Sequence, residues 1–215
     1  MHAGGVDKAC YAATMATRKT PARKKTKPKH AYRLLVKLEG SEPTVWRLVS
    51  VPGNMTLADL DRVIQAAMGW TNSHMHLFAI DGHLYGLPDE EWIDDRPVLP
   101  DGEFTLDEVL GTAVKGFLHE YDFGDSWHHD VTVQAVELAD EERNSWPMCL
   151  AGANACPPED VGGLGGYADF LQAISDPSHE EHDALRRWCG GPFDPTGFDV
   201  NSANRAIRAW LSERT

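Results

Sequence analysis

From His30 onward the apolar residues fall at every second place. Tyr32, Leu34, Val36 and Leu38 alternate with Arg33, Leu35, Lys37 and Glu39, which predicts a strand with one apolar face. Thr44–Val51 is a second β-rich run, closed by Pro52-Gly53. Gly40 to Pro43 make the turn between them, so the two runs are expected to form a hairpin. The period then changes to that of a helix. Leu57, Leu60, Val63, Ile64, Ala67 and Met68 lie on one helical face. Thr56 is a good N-cap with Asp59 three residues on, and Gly69 ends the segment. Period two returns at His76–Ile80 and His83–Tyr85, joined by an Asp81-Gly82 hairpin turn.

The pattern is less regular downstream. Residues 87–103 are acidic and carry prolines, which predicts a loop, and Thr105 with Glu108 caps a short helix through Leu110. Lys115–Phe123 and Trp127–Val136 read as strands joined by a three-residue loop, Gly124-Asp125-Ser126. Residues 139–165 read as irregular, and a loop of that length is uncommon unless it is functional or pinned by contacts. Tyr167, Phe170, Leu171 and Ile174 mark another helix. Ser178 with Glu181 is a capping box opening a helix to Trp188, and Asp199 caps a final helix bearing Ile207, Trp210 and Leu211. Strands first and helices later predict an α+β fold, a mixed sheet of hairpins with packed helices. The opening hairpin and crossing helix have the order of a β-grasp arrangement.

Charge divides the chain. Residues 1–29 hold eight Lys or Arg against Asp7 alone, a net of +7, so the overall −13 leaves −20 on the remainder. The expectation is a disordered basic tail, 1–29, ahead of one acidic domain, 30–213. So acidic a folded surface repels phosphate backbones, which leaves the tail as the segment suited to nucleic acid or an acidic partner. No stretch approaches the roughly 20 apolar residues of a membrane span, and no secretory signal opens the chain. A cytoplasmic protein with reduced Cys10, Cys149, Cys156 and Cys189 is the expectation. Met15 is a second plausible start.

Several stretches together resemble one family. They are Val45-Trp46-Arg47, Leu57–Trp70, His74–Phe78, Tyr121–His129 and Cys149–Gly163, continued by Gly166-Tyr167, Phe193-Asp194-Pro195 and Phe198-Asp199. The sequence is similar to the plasmid Orf3-like family, named after a reading frame on an Agrobacterium root-inducing plasmid. The likeness spans roughly residues 31–211. It implies an α+β fold and an association with plasmids or mobile elements, and no established activity. Some members carry an insertion-element or resolvase label. A serine recombinase needs arginines that neutralise phosphate around its serine, and the twelve Lys and Arg from residue 30 onward form no visible cluster.

Candidate chemistry is spread over four places. In the 121–129 hairpin, Asp125, Trp127 and His129 share one strand parity and Asp122, Gly124 and His128 the other. A carboxylate beside a histidine can hold a metal or orient a base, and turn chemistry at Asp122 and Asp125 explains the same spacing without a ligand. Cys149 and Cys156 sit in the long loop ahead of Glu159 and Asp160, and read as buried thiols or as zinc ligands. His74 and His76 point to one side of an extended chain. Gly162-Gly163-Leu164-Gly165-Gly166 has the glycine content of an anion loop but no Lys-Ser/Thr ending, and reads as a flexible approach to the following helix. Two functions follow. One is a binding or interaction module, with Asp122, Asp125, Trp127, His129 and Asp160 as candidate binding residues. The other is a metal-dependent, hydrolase-like enzyme. It would use His, Asp and Cys residues of the 121–160 region, and Cys149, Cys156, His74 and His76 are the candidate ligands of a divalent metal such as zinc.

Overall fold

The computed structural model describes residues 27–87, 96–140 and 147–213. The expected basic tail lies almost wholly outside them, as does part of the acidic loop. Eight strands form one sheet: β1 (His30–Leu38), β2 (Trp46–Pro52), β3 (His76–Ile80), β4 (His83–Gly86), β5 (Val98–Pro100), β6 (Gly116–Tyr121), β7 (Trp127–Leu138) and β8 (Met148–Ala153). The order across the sheet is β5-β4-β3-β6-β7-β1-β2-β8. β4 and β5 run parallel, and every other pair is antiparallel. The helices are α1 (Leu57–Met68), α2 (Leu106–Val109), α3 (Gly163–Ser175), α4 (His182–Trp188) and α5 (Val200–Glu213). The chain is thus an α+β protein with a mixed sheet.

The alternation seen in the sequence sets the buried face. Tyr32, Leu34, Val36 and Leu38 of β1 are all at most 1% exposed, and Phe78, Tyr121, Trp127 and Val131 continue the layer across β3, β6 and β7. α1 covers this face. Its Thr56 side chain accepts from the Asp59 amide at 3.1 Å, and Gly69, at φ +108°, closes its other end. No described helix is long and apolar enough to cross a membrane.

Arg47 fastens the β2–β8 edge to α1. It faces inward and is 2% exposed. Its guanidinium donates to four backbone carbonyls: Ala67 at 2.8 Å, Trp46 at 2.7 Å, Ala153 at 2.9 Å and Asn154 at 3.0 Å. The Ala67 carbonyl lies in the last turn of α1, where the helix dipole is negative. The Phe198 ring lies 4.1 Å from the guanidinium carbon. A Cβ on Gly152 would stand 2.8 Å from both Arg47 and Phe198, so this packing requires glycine there.

The stretch 87–103, read as a loop, holds β5 at Val98–Pro100 and a single 3-10 turn at Asp101–Glu103; four further details depart from the sequence reading. First, the supposed loop 139–165 contains β8, an edge strand paired with β2 through a bulge at Leu48/Val49. Second, the 121–127 hairpin turn is longer than three residues, because Asp122 leaves the strand at φ +57° and its carboxylate caps the turn amide of Gly124 at 2.9 Å. Third, the glycine run is no loose approach but the first turn of α3. A Cβ on Gly166 would overlap the Val161 carbonyl, and one on Gly163 would lie 2.7 Å from the Asp125 carbonyl. Fourth, Ser178 caps no helix. It donates twice to the Asp176 carboxylate, and α4 begins only at His182.

Replacing Arg47 with Lys keeps the charge but loses the planar fork, leaving buried carbonyls unpaired. The expected cost is about 2–4 kcal/mol, read as a lowered midpoint of urea unfolding without a change in slope.

Candidate metal centre

A short connector, residues 70–76, is bonded at nearly every residue. Trp70 stacks on Tyr121 at 4.8 Å between ring centres, and its indole donates to the Pro157 carbonyl at 3.0 Å. The Thr71 amide and hydroxyl donate to Glu159 Oε1 at 2.8 and 3.2 Å. Asn72 Oδ1 accepts from Gln65. The Ser73 amide donates to the Tyr121 hydroxyl, which itself donates to Glu159 Oε1 at 3.1 Å. The Met75 carbonyl accepts from the Asp122 amide. This stitching presents His74 to the loop that follows β8.

Around His74 Nε2 stand three carboxylates: Asp160 Oδ1 at 3.0 Å, Asp122 Oδ2 at 3.5 Å and Glu159 Oε2 at 4.0 Å. One ligand atom each from His74, Asp122 and Asp160 lies within 4.8 Å of the others. The Nε2 atom is buried yet has no aligned hydrogen-bond partner. Asp122 and Asp160 both sit at φ +57°, as does Asn72 at φ +59°. Asp and Asn tolerate this left-handed conformation best, and such residues gather where geometry is being enforced. Asp122 uses Oδ1 on its own turn amides and keeps Oδ2 for His74. Asp160 is 70% exposed at its side chain, so the group opens to solvent on that side. One imidazole with several carboxylate oxygens is a donor set for manganese, iron or zinc.

Beneath α1 lies a second polar assembly. Asp61, His119 and His129 are all 0% exposed. His76 Nε2 meets Asp101 at 2.7 Å and its Nδ1 meets Asp61 Oδ2 at 3.3 Å. His119 Nε2 lies 2.9 Å from Asp61 Oδ1, and Gln65 donates to Asp61 Oδ2 at 2.7 Å. His129 Nδ1 lies 3.2 Å from both the His119 ring and the His119 carbonyl. Burial would raise the Asp61 acid, but the His119 hydrogen bond, the nearby imidazoles and Gln65 outweigh it and hold the group below the usual aspartate range. Burial also pulls His76 down, and Asp101 with Asp61 reverse this and raise it. Burial dominates at His119 and His129, so both are lowered, His129 well below the ordinary imidazole. These directions favour charge on His76 and the neutral form at His119, where Asp61 has a hydrogen-bond partner.

Residues 30–202 match the family of plasmid pRiA4b ORF-3-like proteins. The chain belongs to that family. It is 42% identical over 176 residues to the uncharacterized protein y4hQ of Sinorhizobium fredii, covering 81% of this chain and 89% of that one. It also resembles the crystal structure of a protein of unknown function from Methanosarcina mazei Go1. There the TM-score is 0.72 at 32% identity, covering 81% of this chain and 98% of the other.

The ORF-3-like stretches singled out in the sequence fold against one another here. Of the candidate residues, His74, Asp122 and Asp160 come together. Asp125 is next to them, with Oδ2 accepting from the Gly162 amide at 3.1 Å at the start of α3. Trp127 is in the core beside Trp70. His129 faces the same side but joins the buried chain, as does His76. Cys149 pairs by its backbone with Asn204 of α5, and both Cys149 and Cys156 lie near the Arg47 cation. Burial raises both thiols, and neither belongs to the His74 group. Sequence reading passed over Asp61, Gln65 and His119. Asp61 and Gln65 lie at i, i+4 on the apolar stripe of α1, and His119 shares the parity of Phe117 and Tyr121. Polar residues at such core positions were the available signal.

Linkage gives the pH dependence. His119 and His129 titrate lower when folded, so their contribution is complete above the unfolded value of about 6.5 and is lost as pH falls through the folded values. His76 acts oppositely, stabilising below about 6.5 and losing its contribution as pH rises through its raised value. Stability should therefore peak near neutrality. Each neutral histidine adds about 1.4 kcal/mol per pH unit to the acid limb. His129, facing His119 and close to His128, is the cleaner test. His129→Phe should flatten the limb between pH 6.5 and 5 by about that amount in urea titrations. An unchanged slope would remove His129 from the account.

Proposed function

We propose that this ORF-3-like domain binds a divalent cation through His74, Asp122 and Asp160, with Glu159 beside them, and uses it in hydrolytic chemistry. The observation that carries the reading is His74 Nε2, buried without an aligned hydrogen bond and facing three carboxylates. Charges of one sign gathered round an imidazole are poorly compensated without a cation. Ligands come from the connector before β3, the β6–β7 turn and the loop after β8; Asp122 is held by its own turn amides, and the connector and Glu159 by the bonds of Trp70, Thr71 and Ser73. Such prior positioning favours a site that keeps its geometry while exchanging ligands on the open side. A bound ion would polarise a substrate oxygen or acidify a water molecule. Cys149 and Cys156 take no part in this reading.

The interaction-module reading has its own support. The sheet face opposite α1 leaves Leu118 50% and Met148 43% exposed, within an acidic body of the kind that seeks a basic or apolar partner. An association with plasmids or mobile elements, a cytoplasmic location and a nucleic-acid contact by the basic tail belong to this second reading. The domain bounds 30–213 go with both.

Elemental analysis after metal-replete growth separates them. The metal reading predicts close to one equivalent of manganese, iron or zinc, and a loss of affinity of about tenfold or more in His74→Ala and Asp122→Asn by calorimetry. Cys149→Ser should leave the affinity unchanged. Wild type and His74→Ala with equally low metal content would contradict it.

A further inference from the structure

The sheet has a second face, opposite the helices. Every described helix packs into the core on the inner face: Leu60 of α1, Leu106 of α2, Phe170 of α3, Leu185 of α4 and Ile207 of α5 belong to that core or lie against it. An antiparallel sheet with one face in water is expected to carry polar residues on that side. This one carries large apolar side chains. Leu35 on β1, Trp46 and Leu48 on β2 and Leu77 on β3 point outward and are half-buried. Leu118 on β6 points the same way and is 50% exposed.

Strand register sets these side chains in rows. One row across β2, β1, β7 and β6 reads Leu48, Leu35, Thr132, Gly116. The next reads Trp46, Lys37, Asp130, Leu118. Neighbours within a row stand about 5 Å apart. Charges on either side are matched within the chain: Arg33 bonds Glu137 at 2.8 Å, and His128 lies 3.5 Å from Glu120. Lys37 and Asp130 remain at the centre of the face, positive on β1 and negative on β7.

We propose that this face joins two copies of the chain, stacked sheet on sheet about a two-fold axis that runs along the strands between β1 and β7. That axis places β1 over the partner's β7 and β2 over the partner's β6. Lys37 then faces the partner's Asp130, and the same pair recurs across the axis. Trp46 packs on the partner's Leu118, and Leu35 on the partner's Thr132. Leu48 enters the space over the partner's Gly116, which has no side chain to fill it. A two-fold axis across the strands would instead set β1 on β1, with Lys37 against the partner's Arg33, so charge selects the first arrangement. Packed sheets keep their strands within about 30° of one another, which this axis allows. A partner of a single sign meets a like charge at Lys37 or at Asp130, whereas a second copy carries both signs in the required order. The six strands from β8 to β3, three rows deep, cover roughly 600 Å² on each copy, near the lower end for a specific interface, so the dimer is reversible. The inference rests on the interaction-module reading and asks nothing of the His74 group.

The test is sedimentation velocity of the full chain, from about 1 to 200 µM at about 0.15 M salt. The expected result is a monomer–dimer equilibrium that Leu118→Glu weakens about tenfold or more. Lys37→Glu alone and Asp130→Lys alone each set like charges over one another, and each should sediment as a monomer. Mixed together, these two variants regain both opposite-charge contacts and should dimerise with each other, which also shows that both are folded. A dimer indifferent to Leu118→Glu, or variants that stay apart when mixed, would overturn the proposal. A wild type that is monomeric throughout the range would overturn it too, and would leave the interaction-module reading to a different partner.

Discussion

The fold is organised about one buried charge. Asp61 is 0% exposed in the middle of α1, on the side that presses against the sheet. Burying a carboxylate costs several kcal/mol even after relaxation, unless its lone pairs are filled. Here they are filled from three elements at once: Gln65 on α1, His119 on β6 and His76 on β3. An apolar helix could slide along a sheet with little penalty. A helix carrying this carboxylate cannot, because any shift of register strands an ion in the core.

That register is handed on to the candidate site. Gln65 joins Asp61 to Asn72, and β3 begins at His76, so the residues between them are held at both ends. Trp70 and Glu159 then pull the loop after β8 against this connector. His74, Asp122 and Asp160 meet as a consequence, from three parts of the chain with no local reason to be neighbours. The polar core and the surface acid group are thus two ends of one arrangement, the first fixing positions and the second offering ligands.

The elements with a strong period were legible in the sequence. β1, β2 and α1 follow their apolar spacing to within a residue or two, because each buries a single face against the same core. β8 was hidden for a physical reason: as a bulged edge strand, it shows no alternation in Met148–Ala153. The first turn of α3 was hidden by glycines that serve close packing rather than flexibility. Within the site, His74, Asp122 and Asp160 each stood out as residue types. Their grouping did not, since it depends on left-handed backbone at Asp122 and Asp160 and on contacts spanning dozens of residues.

The most direct measurement is the ionisation of Asp61 itself, followed by its carboxyl carbon resonance over a pH titration of the folded protein. An Asp61 that shares its charge with His76 and accepts from His119 and Gln65 stays ionised below the ordinary aspartate range. A resonance showing a protonated acid near neutral pH would mean that the core is not built round an anion, and the account of how α1 and the connector are positioned would fail.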